Sequence, residues 1–254
     1  MQKLFSIKDK NVLITGSSRG LGYNFARGFL QSEATVIING RNEERVHKAV
    51  KKLNKLPGKA TGYPFDVSDR QQVKENIDLI EKDVGQIDVL INNAGIQRRA
   101  PLEEMSLDEW DQVIDVNLKG VFIVSKCVVA KMKERQKGKI INITSLNAEG
   151  ARPTIGNYCA SKGGLKMLTK SMATEWGEYN IQTNAIGPGY FATDMTEELV
   201  EDPEFDNWVK QEVPLRRWGD PEELIGAAIF LASEASNYVN GETIYIDGGW
   251  QASL

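Results

Sequence analysis

Tyr158 and Lys162 stand four residues apart in Tyr158-Cys159-Ala160-Ser161-Lys162, thirteen residues after Ser145. On a helix this spacing sets a phenol and an ammonium on one face, one turn from each other. A free tyrosine has a pKa of about 10. A cation about 4 Å away, at an effective dielectric of about 20, is worth roughly 4 kcal/mol, or about three pKa units. Such a pair suits proton transfer near neutral pH, where a general acid/base works best. An isolated pair of this kind is usually a half-buried tyrosine beside a solvated lysine. Its company here is the turn Thr15-Gly16-Ser17-Ser18-Arg19-Gly20-Leu21-Gly22, which can hold the pyrophosphate of a dinucleotide.

Gly16, Gly20 and Gly22 depart from the general G-x-G-x-x-G spacing but meet the same needs. They allow a tight turn, close backbone approach, and a helix N-terminus whose amides and dipole favour phosphate. Ser18, Arg19 and Leu21 share that turn. No Gly-Lys-Ser/Thr follows, which sets a P-loop aside. The tip of the next expected strand, Ile38-Asn39-Gly40-Arg41-Asn42, lacks the acid that grips a ribose 2′-hydroxyl in an NAD site. Arg41 instead offers a charge-assisted fork to a 2′-phosphate, with Arg19 on the other side. NADP(H) is therefore expected over NAD(H). Asp66 and Val67 fall where the adenine would lie, Asp66 toward its amino group. Asn93, Ala94 and Gly95, from Asn92-Asn93-Ala94-Gly95, let the chain pass close to the adenine-ribose half.

The elements that must position these residues alternate. Apolar, β-branched runs predict strands over Asn11–Thr15, Thr35–Asn39, Ala60–Phe65, Ile87–Ile91, Lys139–Thr144, Ile181–Ile186 and Glu242–Ile246. Helical spacing covers Leu21–Leu30, Asn42–Lys55, Gln71–Asp83 with Ser68 as a plausible cap, Ser106–Lys133 with a break near Asn117, Tyr158–Tyr179 and Pro221–Ala232. Residues 187–217 form a long excursion carrying Pro188, Pro203 and Pro214. The alternation predicts an α/β fold, a single doubly wound parallel sheet of Rossmann type spanning residues 1–254. Gly16, Asp66, Asn93, Ser145 and Gly189 each follow an expected strand, so they converge on the sheet edge where such folds bind ligands.

Bulk composition narrows the field. A net charge of −4 over 254 residues, with no dense Lys/Arg run, argues against a nucleic-acid partner. The lysines Lys48, Lys51, Lys52, Lys55 and Lys59 read as a solvated helix face. The single histidine, His47, lies in that stretch, so neither a Ser-His-Asp hydrolase nor a His/Cys zinc site is supported, and no metal is expected. Two cysteines, Cys127 and Cys159, give no disulfide framework. No membrane-length apolar run or signal-peptide core is apparent, and a cytoplasmic protein is expected.

Taken together, Thr15–Gly22, Asn92–Gly95, Asn117, Ser145, Tyr158/Lys162, Pro188-Gly189 and Asp247-Gly248-Gly249 resemble the short-chain dehydrogenase/reductase superfamily over nearly the whole chain. The resemblance implies a sheet of about seven strands and a catalytic tetrad of Asn117, Ser145, Tyr158 and Lys162. In it Tyr158 donates the proton in ketone reduction and Ser145 polarises the carbonyl. Lys162 lowers the phenol pKa and holds the nicotinamide ribose, and Asn117 orders a water. Pro188, Gly189 and Thr193 would line the nicotinamide side, residues 187–217 would be a substrate lid, and a homotetramer would pair through Ser106–Lys133 and Tyr158–Tyr179.

Within that superfamily, Leu4-Phe5-Ser6, Asn92–Arg99 and Arg217–Leu224 resemble the gluconate 5-dehydrogenase branch, and also the 2-deoxy-gluconate 3-dehydrogenases. The arginines carry the chemical content, because a guanidinium pairs bidentately with the carboxylate of a sugar acid. Arg99 is the first candidate for that contact and Arg152 the second, beside Ser145 and Tyr158 at the reacting carbon. The expected activity is reversible hydride transfer between NADP(H) and a C5 or C3 ketone of a hexonic acid, with gluconate and 5-ketogluconate the first pair. The alternatives are a 3-oxoacyl thioester reductase, a 2-deoxy-gluconate 3-dehydrogenase and, from a different class, a non-catalytic dinucleotide sensor.

Overall fold

A computed structural model describes residues 3–193 and 196–253. Seven strands form one parallel sheet in the order β3-β2-β1-β4-β5-β6-β7. They are β1 (Asn11–Ile14), β2 (Thr35–Gly40), β3 (Lys59–Pro64), β4 (Val89–Asn92), β5 (Gly138–Ile143), β6 (Ile181–Pro188) and β7 (Thr243–Ile246). The order reverses between β1 and β4, and the crevice beyond that switch point is where a doubly wound sheet binds its ligand.

Both faces of the sheet are covered, and strand alternation decides which residue goes where. Val12, Ile14, Val36 and Ile38 face a layer made by α1 (Gly20–Gln31), α2 (Glu43–Leu53) and, later in the chain, α9 (Ile225–Ala232). Leu13, Ile37, Leu90 and Ile140 face the opposite layer, made by α3 (Arg70–Asp83), α5 (Val121–Glu134) and α6 (Gly156–Trp176). Gly28 permits close packing of the first layer: a Cβ there would lie 2.4 Å from Ile225.

The long helix expected over 106–133 is broken at the expected place. It comprises α4 (Leu107–Ile114), capped by a Ser106/Glu109 box, then a π-helical stretch over Asp115–Gly120 that contains Asn117, then α5. Other boundaries differ from expectation by local chemistry. Asp69, not Ser68, caps α3, accepting from the amides of Gln71 and Gln72. Ser68 instead donates its amide and hydroxyl to Asp66. Residues 187–217 contain two helices that spacing did not disclose, α7 (Glu197–Glu201) and α8 (Pro203–Glu212). Within that expected lid, Asp194 and Met195 lie outside the described residues. His47 is exposed on α2, as its lysine-rich surroundings suggested.

Candidate active site

At the carboxyl edge of the sheet the three glycines after β1 serve different purposes. Gly16 has φ 64° and would place a Cβ 2.8 Å from the Ala94 backbone. Gly20, at φ 59°, opens onto free space. Gly22 would drive a Cβ to 2.6 Å from the Gly16 carbonyl. The first amides of α1 have no side-chain cap, and no acid stands in its first turn. Uncapped amides at the positive end of a helix dipole are a ready site for phosphate. Ser18, Arg19 and Leu21 line the cleft at this point.

Two asparagines hold the turn in place. The amide of Asn93 donates to the carbonyls of Thr15 (2.9 Å) and Gly16 (3.1 Å). Asn39, which sequence reasoning passed over, accepts from the Gly16 amide (3.2 Å) and donates to the carbonyls of Tyr63 (3.2 Å) and Phe65 (3.1 Å). The β1 turn is thus tied to strands on both sides.

Arg41 projects at the end of β2 with its side chain 67% exposed, and its guanidinium lies 3.7 Å from Asp66. That exposed pair contributes little, so the arginine can exchange Asp66 for another anion. Asp66 already accepts from Ser68, which leaves it less free for an adenine than its position after β3 suggested. Arg45 also lines this end of the cleft and was not foreseen. It sits on the first turn of α2, just after the Arg41 loop.

The cleft encloses about 900 Å³ and runs from Gly16, Arg41, Asp66, Val67, Asn93, Ala94 and Gly95 to Ser145, Tyr158, Lys162, Pro188, Gly189 and Thr193. Ser145 follows β5; Tyr158 and Lys162 lie on the first turns of α6. Asn117 is buried. Its side chain accepts from the Ile96 amide (2.8 Å) and donates to the Ile96 carbonyl (2.9 Å) and the Ser161 hydroxyl (3.1 Å). A side chain on Gly95 would lie 3.4 Å from the Asn117 Oδ1 and 3.8 Å from the Lys162 Nζ, so Asn117, Lys162 and the loop after β4 meet at one point.

The electrostatics of the pair differ from the sequence expectation. Lys162 is 4% exposed and donates to the Ile143 carbonyl at 2.7 Å. Burial lowers its pKa to about 8. Burial also raises the Tyr158 pKa, with the neighbouring Ser145 hydroxyl the one group that lowers it. The lysine charge was expected to make the phenol acidic. In this structure desolvation is the largest influence on both groups, and Lys162 is not among those that shift the phenol.

Arg99 lies at the open end of the cleft. Burial lowers its pKa, and so does the positive charge of Arg152. The two candidate arginines thus act on each other electrostatically. Arg152 does not line the cleft directly; it rests on aromatic rings, its guanidinium 4.5 Å from the Phe205 ring centroid. That aromatic group, built from Tyr190, Phe205, Trp208, Trp218 and Trp250, was missed from sequence. The concentration of tryptophans in the last fifth of the chain was the available signal.

A family model described as enoyl-(acyl carrier protein) reductase matches residues 16–251. Gluconate 5-dehydrogenase of Gluconobacter oxydans (strain 621H) is 49% identical over 251 residues, 99% of this chain and 98% of that protein. The chain belongs to the short-chain dehydrogenase/reductase family. It is thus an oxidoreductase by kinship, with the seven-stranded sheet of that family. The 5-keto-D-gluconate 5-reductase of Escherichia coli (strain K12) is 50% identical over 249 residues, 98% of each chain. Among solved structures, a gluconate 5-dehydrogenase from Burkholderia cenocepacia J2315, in complex with NADP and tartrate, superposes with a TM-score of 0.97 at 46% identity, covering 99% of both chains. The cleft is lined by residues at and just beyond the carboxyl ends of the strands. Among the described residues no helix is long and apolar enough to cross a membrane, and no cluster of three His, Cys, Asp or Glu is placed to hold a metal ion.

Proposed function

We propose that this protein is an NADP(H)-dependent oxidoreductase that interconverts gluconate and 5-ketogluconate. The observation that carries the proposal is one cleft lined by an uncapped helix N-terminus, by Ser145 and Tyr158, and by Arg99, with Arg152 behind its wall. Neither Arg99 nor Arg152 forms an ion pair among the described residues; Arg99 donates only to Gln97, at 3.2 Å. A carboxylate supplies the missing counter-charge. Relatives of about half-identical sequence are named for this sugar acid, and the Burkholderia protein was solved with NADP and tartrate, itself a hydroxy acid.

In this reading the dinucleotide pyrophosphate lies on the amides of Gly20, Leu21 and Gly22, between Ser18 and Arg19. Arg41 grips the 2′-phosphate, Asp66 and Val67 flank the adenine, and Asn93, Ala94 and Gly95 border its ribose. The nicotinamide supplies the hydride in reduction and accepts it in oxidation. Pro188, Gly189 and Thr193 shape its pocket, and Lys162 holds its ribose. At the reacting carbon Ser145 donates to the carbonyl oxygen and Tyr158 gives that oxygen its proton. Lys162 steadies the charge left on the phenol, and Asn117 keeps the loop after β4 against α6. Arg99, with Arg152 behind it, holds the carboxylate, and residues 187–217 close over the substrate.

A homotetramer is part of the same proposal. It is supported by the apolar groove of Ile114, Leu118, Phe122, Met167 and Leu168, where Phe122 is 46% and Met167 62% exposed. The two free thiols, Cys127 and Cys159, agree with a cytoplasmic setting.

A 3-oxoacyl-[acyl-carrier-protein] reductase of Thermotoga maritima, 42% identical over 243 residues, favours one second reading, a reductase of 3-oxoacyl thioesters. Following NADPH oxidation with 5-ketogluconate and then with an acetoacetyl thioester separates the two. Turnover confined to the keto acid is expected. Turnover confined to the thioester replaces the sugar-acid reading, and no turnover of any carbonyl leaves a nucleotide sensor.

A further inference from the structure

Tyr190 follows Pro188-Gly189 at the end of β6 and is 8% exposed. Its ring is the hub of the aromatic group, meeting Phe205, Trp208, Trp218 and Trp250 edge-on at centroid distances of 5.9, 5.5, 5.9 and 6.4 Å. Such tilted contacts set the ring firmly. The Arg152 guanidinium lies over the same group, 4.5 Å from the Phe205 centroid and 6.0 Å from that of Tyr190. Ring faces attract a guanidinium without neutralising it.

One polar group of this cluster is satisfied: the Trp218 indole donates to Asp206 at 2.9 Å. The Tyr190 hydroxyl is not. It is shielded from solvent and has no hydrogen-bond partner, for Arg152 approaches it without completing a bond. Burial raises the phenol pKa, while Arg152, 6.0 Å from the ring centroid, and Arg99 both draw it down. A buried hydroxyl without a partner is costly, and so are adjacent cations with which Glu198, the acid that acts on Arg99, forms no ion pair. One anion accepting from all three relieves both.

We propose that Tyr190 is a specificity-determining residue of the sugar-acid site, its hydroxyl donating a hydrogen bond to the substrate carboxylate that Arg99 and Arg152 neutralise. The proposal rests on the sugar-acid reading of the cleft. An arginine held by ring faces alone can move aside to admit the carboxylate. Because Phe205 and Trp208 belong to α8, seating the anion also fixes that helix over the substrate.

Tyr190→Phe deletes the hydroxyl and keeps the ring. Its KM for 5-ketogluconate is expected to rise about tenfold or more. The KM for L-sorbose, which carries a hydroxymethyl group in place of the carboxylate, stays unchanged, as do NADPH affinity and Tm. If both KM values stay at wild-type levels, the hydroxyl is merely buried and the proposal falls. If wild-type protein does not reduce 5-ketogluconate at all, the sugar-acid reading falls first. Should Tyr190→Phe fail to fold, wild-type crystals grown with NADP and gluconate decide. A carboxylate oxygen within about 3.2 Å of the Tyr190 hydroxyl supports the assignment, and a hydroxyl still without a partner overturns it.

Discussion

The Lys162 ammonium lies 5.6 Å from the ring centroid of Tyr158 and spends its hydrogen bond on the Ile143 carbonyl at 2.7 Å. The two side chains share a helix face, but the lysine is pinned to the end of β5. It is therefore committed to that strand rather than to the phenol, and is well placed to reach a ribose hydroxyl in the cleft. Tyr158 remains the one candidate proton donor beside Ser145. Tyr158→Phe is expected to lower kcat by at least about a hundredfold, the usual worth of a positioned general acid, while NADPH still binds in a fluorescence titration. Activity within tenfold of wild type would mean that the proton comes from elsewhere.

The same burial makes the reaction sensitive to alkali. With a pKa of about 8, Lys162 is charged at neutral pH and loses its proton as pH rises further. Tyr158, pushed upward, stays protonated across that range. Ketone reduction should be flat below about pH 8 and decline above it as the charge that steadies the nascent phenolate disappears. Unfolding would be a poor explanation for the decline. Lys162 and Lys139 both fall from 10.5 to about 8 on folding, so between those values the unfolded chain binds more protons. These two groups make stability rise with pH from about 8. Above about pH 9 they are opposed by Cys127 and the tyrosines Tyr63, Tyr158, Tyr190 and Tyr245, whose pKa values burial raises. A kcat profile that stays level to pH 10, or a Tm that falls between pH 8 and 9, would contradict this assignment.

How much of this was legible in the sequence follows from how local each determinant is. Strands were readable because runs such as Val36-Ile37-Ile38 are buried on both faces, and the break at Asn117 was readable as an interruption of helical spacing. The depressed pKa of Lys162 was not, because spacing reports the distance between Tyr158 and Lys162 and says nothing of how deeply each is buried. The Arg152 cage was hidden for a related reason. Its rings come from β6, α8, the loop after α8 and the chain's end, and meet only in the folded molecule. Asn39 was expected only as the last residue of a strand and proved to be a buried brace.

Two glycines in one turn should respond oppositely to alanine. At Gly22 a Cβ meets the Gly16 carbonyl at 2.6 Å and the Ser17 Cα at 2.8 Å, both backbone, so the turn itself must shift. Gly22→Ala is expected to lower Tm markedly. At Gly20 nothing lies within 4 Å, and the cost is that of a positive φ, roughly 1 kcal/mol. Gly20→Ala should fold well, yet bind NADPH at least tenfold more weakly by titration, because its methyl enters the space the pyrophosphate needs. Equal Tm values for the two variants would refute the packing role of Gly22.

Arg41 is the test of cofactor choice. Its pairing with Asp66 is long and exposed, so removing it should leave Tm within a degree or two of wild type. Arg41→Ala is expected to raise the KM for NADPH at least tenfold and to leave that for NADH nearly unchanged, since only NADPH carries the 2′-phosphate. Steady-state kinetics with both cofactors gives the answer. A parallel loss for NADH would show that Arg41 shapes the turn and does not read the phosphate.

Arg99 differs from Arg152 in what surrounds it. It lines the cleft directly, with Gln97 as its hydrogen-bond acceptor, whereas Arg152 is braced by aromatic rings. Removing Arg99 thus takes away a charge without opening a packed cluster. Arg99→Ala is expected to raise the KM for 5-ketogluconate by about tenfold to a hundredfold, the range for a hydrogen bond to a charged group, with little change in Tm. For L-sorbose the KM should hardly move, because no carboxylate is there to lose its partner. Arg99→Lys should restore only part of the affinity, since an ammonium cannot make the paired bonds of a guanidinium. If both ketones suffer alike in Arg99→Ala, Arg99 is shaping the loop after β4, and the carboxylate must be held elsewhere.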